Sequence, residues 1–192
     1  MNALLTSAGI IALAEMGDKT QLLAFLLAAR FRKPAPIILG ILAATLLNHG
    51  LAGALGAWIT AMLTPTALRW SVGLLFLGMA VWTLIPDRIE EEETRSAARV
   101  GIFGATFITF FLAEMGDKTQ IATVAMATQF SSVWLVIAGT TLGMLIADVP
   151  AVFLGQRFAN RIPMKLVHSI AAALFALLGI ATLLGFGERL GL

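Results

Sequence analysis

The nine-residue string Leu-Ala-Glu-Met-Gly-Asp-Lys-Thr-Gln occurs at Leu13–Gln21 and again at Leu112–Gln120, and both copies lie inside segments apolar enough to span a membrane. A charged side chain in the middle of such a segment costs roughly 2.5–3.5 kcal/mol on insertion scales. Glu15, Asp18, Lys19, Glu114, Asp117 and Lys118 would together cost on the order of 15–20 kcal/mol if each faced lipid alone. They must therefore face one another, water or a bound ion.

The rest of the composition supports a membrane setting. Hydrophobic residues make up 59% and charged residues 12% of 192 positions, against a charged fraction of about 25% in soluble domains. No Lys or Arg precedes Lys19 and no small-residue cleavage site follows a short apolar core, so the N-terminus reads as a first span rather than a signal peptide. With no cysteine, disulfides and thiolate metal sites are excluded. The formal net charge of +2 is too small, and the basic residues too confined to span ends, for a nucleic-acid binder. Those positions suit topology and lipid headgroups.

Six segments are long and apolar enough to cross a hydrocarbon core, at about 20 residues each: roughly Ala3–Ala29, Pro36–Leu63, Leu68–Ile85, Val100–Ala127, Ser132–Phe158 and Leu166–Phe186. In lipid the backbone must satisfy itself, and no alternation of period two suggests a barrel, so the segments are expected to be helices. The one long connection, Pro86–Arg99, carries Glu90-Glu91-Glu92-Glu93 and reads as a solvated linker.

The repeat extends beyond the motif. The offset of 99 residues that relates Glu15 to Glu114 also relates Leu46, Leu55 and Gly56 to Leu145, Leu154 and Gly155, and Leu75-Phe76 to Leu174-Phe175. The chain is expected to be two homologous halves, 1–85 and 100–192, joined by the 86–99 linker. Each half has an odd number of spans, so the second half enters the membrane from the opposite side. The expected fold is an all-α membrane protein with six transmembrane helices arranged as two inverted three-helix repeats, an architecture of secondary transporters. Outside the motifs, Arg30, Arg32, Lys33, Arg88, Arg95, Arg99, Arg157, Arg161 and Lys165 fall on one side, and Arg69 and Arg189 on the other. That imbalance places the linker in the cytoplasm and both termini outside.

On a continuous helix Glu15, Asp18 and Lys19 would share one face, as would Glu114, Asp117 and Lys118. A twofold axis in the membrane plane would bring the two stripes together as a cage of four carboxylates, with Gln21 and Gln120 nearby. Hard divalent cations such as Ca²⁺, Mn²⁺ and Mg²⁺ prefer such an oxygen-rich shell. With all groups ionised, the four acids and two lysines sum to −2, which matches one divalent ion. A pair of Glu–Lys bridges tying helices together is the plainer alternative, but it leaves carboxylates that the lysines do not neutralise. Gly17 and Gly116 interrupt the helical pattern at a cost of about 1 kcal/mol each relative to Ala. They suit either a local opening that frees backbone carbonyls or a tight helix crossing.

Two further polar residues occupy equivalent repeat positions inside spans, His49 and Asp148, with Asn48 beside the first. Intramembrane acids and imidazoles are proton-relay candidates, while a structural hydrogen-bond role is the alternative. Lys19 and Lys118 are candidates for coupling.

The doubled Glu-Met-Gly-Asp-Lys-Thr, in a six-span chain of this length, resembles the signature of the Gdt-type cation/proton antiporters, which include eukaryotic Golgi manganese and calcium transporters and bacterial manganese exporters. The resemblance covers the whole chain. It implies exchange of Mn²⁺ or Ca²⁺ against protons, with Glu15, Asp18, Glu114 and Asp117 as cation ligands. Without the long N-terminal extension and large linker of eukaryotic members, the chain looks like a compact form of the bacterial plasma membrane. The expectation is a secondary active transporter that exports Mn²⁺ in exchange for protons, with Ca²⁺ as the alternative ion and a passive cation channel as a weaker alternative. Its partners are the lipid bilayer, divalent cations and protons, with a homo-oligomer left open, and no resident cofactor is expected. An enzyme is disfavoured, because an intramembrane aspartyl protease needs two acids sharing a proton, whereas each Asp here is followed directly by Lys.

Overall fold

The computed structural model describes residues 2–85, 100–154 and 164–185. The 86–99 linker, with its acidic run, lies outside the described residues. Among the described residues there are eight helices and no strand: α1 Ala3–Glu15, α2 Lys19–Phe31, α3 Pro34–Met62, α4 Pro65–Trp82, α5 Gly101–Glu114, α6 Lys118–Gln129, α7 Val133–Leu154 and α8 Met164–Leu183.

By length and composition three helices can cross a membrane, over Pro34–Met62, Pro65–Trp82 and Val133–Phe153, and Ala3–Glu15, Gly101–Glu114 and Ser169–Leu183 are shorter apolar helices. The expected continuous helices over Ala3–Ala29 and Val100–Ala127 do not form. Each is divided at its motif, into α1 and α2 and into α5 and α6. A 13-residue helix such as α1 rises only about 20 Å, short of the roughly 30 Å hydrocarbon core.

The break has a local cause written in the sequence. Met16 adopts φ −65° and ψ 114°, Gly17 has φ 84°, and the Asp18 N–H donates to the Glu15 carbonyl at 3.0 Å. This is a type II β-turn, whose third position needs a positive φ and therefore glycine. The second copy repeats it: Met115 has φ −66° and ψ 117°, Gly116 has φ 79°, and Asp117 N–H reaches the Glu114 carbonyl at 3.1 Å. A Cβ at Gly116 would meet nothing within 4 Å. Its backbone angle, not crowding, demands glycine there.

Polarity is inside out relative to a soluble fold. Along α3, Leu47, Leu51, Leu55, Trp58 and Met62 form an exposed apolar stripe, while Thr45, Asn48 and His49 lie on the buried face with Ile37, Ile41 and Ala44. Apolar side chains outside and polar ones within are what a hydrocarbon solvent selects.

Helices of one half pack on helices of the other through equivalent positions. A Cβ at Gly40 of α3 would stand 2.9 Å from the Phe103 carbonyl and 2.7 Å from Thr106 Cβ of α5. A Cβ at Gly139 of α7 would stand 2.5 Å from the Leu4 carbonyl and 3.0 Å from Ser7 Cβ of α1. Adding 99 to each residue number of the first crossing's α3 partner, and subtracting it from the α5 partners, gives the second. Glycine lets both backbones approach, as membrane helix pairs require. Phe76 of α4 and Phe175 of α8, also equivalent, stack on each other with centroids 6.3 Å apart and both rings buried.

Candidate cation site

The two turns carry the acids to a common place. One carboxylate oxygen from each of Glu15, Asp18, Glu114 and Asp117 lies within 4.8 Å of the others, and all four residues are buried. The helix breaks make this possible in a way a continuous stripe could not. Glu15 and Glu114 end α1 and α5, whereas Asp18 and Asp117 occupy the N-cap positions of α2 and α6. An Asp at an N-cap ordinarily accepts from a backbone N–H of the first turn. Neither does so here; their carboxylates meet lysines instead, beside the positive ends of two helix dipoles.

The lysine pairing crosses between copies. Lys118 Nζ donates to Asp18 Oδ1 at 2.5 Å, and Lys19 Nζ lies 3.5 Å from Asp117 Oδ1. The two pairs differ in setting, for the Lys118 side chain is 1% exposed and that of Lys19 24%.

Each glutamate is held from the far side of its turn. Thr20 Oγ1 donates to Glu15 Oε2 and Thr119 Oγ1 to Glu114 Oε2, both at 2.8 Å and both buried. The other oxygens, Oε1 of Glu15 and Glu114, are buried and accept no hydrogen bond, as is Oδ2 of Asp117. Buried anionic oxygens left in this condition are costly and are what a desolvated cation would satisfy. Sequence reasoning missed the two threonines. The signal was present, since the same residue follows Lys in both copies, but a Thr in an apolar helix ordinarily bonds back to its own helix.

Gln21 and Gln120, expected beside the carboxylates, brace the turns. Their Oε1 atoms accept the Gly17 and Gly116 N–H groups at 3.0 and 2.8 Å. Gln21 Nε2 also donates to the Ala147 carbonyl of α7 at 3.0 Å. Asn48 ties α3 to α5 by donating to the Phe111 carbonyl at 3.1 Å.

His49 and Asp148 stand outside the four-carboxylate cluster, fully buried on α3 and α7. Neither ring nitrogen of His49 and neither carboxylate oxygen of Asp148 has a hydrogen-bond partner. Met115 is 54% exposed.

Comparison with known proteins agrees with this chemistry. The family model described as "Divalent cation/proton antiporter GDT1" matches residues 3–91 and 102–188. A Vibrio cholerae protein named "Putative manganese exporter" is 50% identical over 184 residues, covering 95% of this chain and 90% of that protein. "GDT1-like protein sll0615" of a Synechocystis species is 31% identical over 196 residues, covering 90% and 92%. "GDT1-like protein 3" of Arabidopsis thaliana is 31% identical over 201 residues, covering 91% and 68%. No solved structure matches the chain. With its family model matched over most of its length and its doubled acidic motif gathered into one buried cluster, the chain belongs to the GDT1 family of divalent cation/proton antiporters.

Proposed function

We propose that this protein exports Mn²⁺ across a bacterial plasma membrane in exchange for protons, through one site to which both motif copies contribute. The observation that carries the reading is the buried convergence of Glu15, Asp18, Glu114 and Asp117. With all six motif charges present the cluster sums to −2, so a single divalent ion neutralises it. The same carboxylates serve the counter-ion, because a protonated acid loses its attraction for metal and a bound metal expels the proton. Asp148, fully buried with neither carboxylate oxygen hydrogen-bonded, is the candidate station through which protons reach the site, with His49 at the equivalent position of the other half. The name of the Vibrio relative supports Mn²⁺ as the cargo.

Alternating access follows from a six-span inverted repeat in which the two halves exchange conformations. Supporting that arrangement are the crossed Lys–Asp pairs, the self-equivalent Phe76–Phe175 stack and the matched glycine crossings at Gly40 and Gly139. Each half then crosses the membrane with one helix broken at the motif. The charge imbalance sets the linker in the cytoplasm and both termini outside. Calcium is the second reading, since the cluster's donors are all oxygen, which Ca²⁺ accepts as readily.

The test is binding stoichiometry. Purified protein in detergent should take up one Mn²⁺ per chain at equilibrium, and Glu15→Gln and Glu114→Gln should each abolish binding while the protein stays folded. Two ions per chain, or binding that survives either substitution, would show separate sites.

A further inference from the structure

We infer that Asn48 is a positioning residue for the cation site: through its bond to the Phe111 carbonyl it holds the last turn of α5, and with it Glu114, at a fixed place against α3. The inference rests on the cation site proposed above and goes beyond it, because it gives a role in ion binding to a neutral side chain outside both motif copies.

The placement follows from the way α3 lies along the broken helix. α3 is continuous over Pro34–Met62, whereas α5 and α6 are separated by the turn at Met115 and Gly116. Close backbone approaches occur on both sides of that break. A Cβ at Gly40 would stand 2.9 Å from the Phe103 carbonyl of α5, and one at Gly56 would stand 2.6 Å from the Val124 carbonyl of α6. Asn48 is midway between the two glycines in sequence, so it comes level with the break. There its Nδ2 donates to the Phe111 carbonyl at 3.1 Å, while its Oδ1 is buried and accepts no hydrogen bond.

The bond is a tie between helices rather than the repair of an orphaned group. The Phe111 carbonyl already accepts the Met115 N–H at 3.1 Å, the bond that closes the end of α5. Phe111 and Glu114 are three residues apart in that closing turn and share a face. Gripping one therefore fixes the backbone from which the other's carboxylate reaches the cluster. The other half has no counterpart of this grip. There α7 lies along α1 through Gly139 and Gly143, but the residue equivalent to Asn48 is Ala147, whose side chain has no donor. Asn48 thus acts on Glu114 and not on Glu15.

The experiment measures Mn²⁺ affinity by calorimetry, together with the metal-free unfolding midpoint, on purified protein in detergent: wild type, Asn48→Leu, Asn48→Ala, Asn48→Gln and Thr60→Val. Thr60 is the control, since its hydroxyl bonds the Gly56 carbonyl of its own helix, away from the break. Asn48→Leu and Asn48→Ala should each weaken Mn²⁺ binding about threefold to tenfold, the scale of one interhelical hydrogen bond in a membrane protein, with one ion still bound per chain. Asn48→Gln keeps an amide donor and should recover most of the affinity, and Thr60→Val should leave it unchanged. Combined with Glu114→Asp, which already misplaces that carboxylate, Asn48→Ala should cost little further affinity, whereas with Glu15→Asp its loss should add in full. Wild-type affinity in the Leu and Ala variants, even with a lowered midpoint, overturns the inference, as does equal coupling to both glutamates. A wild type that binds no Mn²⁺ instead overturns the cation site on which the inference rests.

Discussion

The two crossed lysine–aspartate pairs occupy equivalent positions, yet they should respond very differently to loss of the lysine. At an effective dielectric of about 20, the attraction is about 7 kcal/mol at the 2.5 Å of Lys118–Asp18 and about 5 kcal/mol at the 3.5 Å of Lys19–Asp117. Desolvation offsets much of either figure, and what remains after substitution depends on whether water can reach the abandoned carboxylate. Lys118 is buried, so Lys118→Met removes an ammonium from Asp18 where water does not replace it, a loss of about 3–5 kcal/mol. Lys19 is partly exposed, so Lys19→Met should cost nearer 1 kcal/mol. For a chain of this size 1 kcal/mol moves the midpoint by about 2–4 °C. The metal-free protein should therefore lose about 6–20 °C with Lys118→Met and about 2–4 °C with Lys19→Met.

Adding metal should offset these losses. Removing either ammonium takes the cluster from −2 to −3 and removes a competitor for an aspartate oxygen. Binding to the folded state stabilises by about 2.7 kcal/mol at 100 times Kd, and a lower Kd raises that figure at fixed Mn²⁺. The Mn²⁺-induced rise in midpoint should be largest in Lys118→Met, next in Lys19→Met and smallest in the wild type. Thermal unfolding in detergent, followed by intrinsic tryptophan fluorescence with and without Mn²⁺, reads both effects. Equal losses in the two variants, or a Lys118→Met protein that Mn²⁺ does not recover, would refute the reasoning.

Three further outcomes are expected. Cysteines introduced at Glu92 and Ser96 into this cysteine-free chain should react only from the cytoplasmic side; labelling from outside intact cells would invert the topology and the transport direction. Mn²⁺ affinity should weaken as pH falls and binding should release protons, whereas affinity flat between about pH 6 and 8 would rule out direct competition at the carboxylates. Gly116→Ala should destabilise the protein by about 1–2 kcal/mol, the penalty of a left-handed backbone for a residue with a Cβ. Since nothing stands within 4 Å of the added methyl, a larger loss in thermal unfolding would mean that the turn geometry is misassigned.

Much of the molecule is legible in the sequence, and the failures have a common source. Hydropathy places α3, α4, α7 and α8 to within a few residues, because an apolar run of that length has one stable solution in lipid. Hydropathy is blind to the breaks at Glu15–Asp18 and Glu114–Asp117, since α1 with α2 and α5 with α6 read as single apolar runs. The clue was local: Gly at the third position of Glu-Met-Gly-Asp is the demand of a type II turn. The four acids were identifiable from charge in an apolar setting, and duplication implied that they meet. What the one-dimensional pattern could not supply is which oxygen each neighbour occupies. Thr20, Thr119, Gln21 and Gln120 take their roles from the turn, and the lysines from pairing across copies, so these contacts emerge only once the helices are broken and crossed.

The most direct test of the account is transport itself. Proteoliposomes containing the purified protein, acidic inside and alkaline outside, should accumulate external Mn²⁺ against its gradient, with protons leaving as Mn²⁺ enters. Asp18→Asn and Asp117→Asn should each abolish both fluxes together. Mn²⁺ that only equilibrates across the bilayer whatever the pH difference, or accumulation that survives neutralisation of either motif copy, would contradict a shared site that exchanges metal for protons.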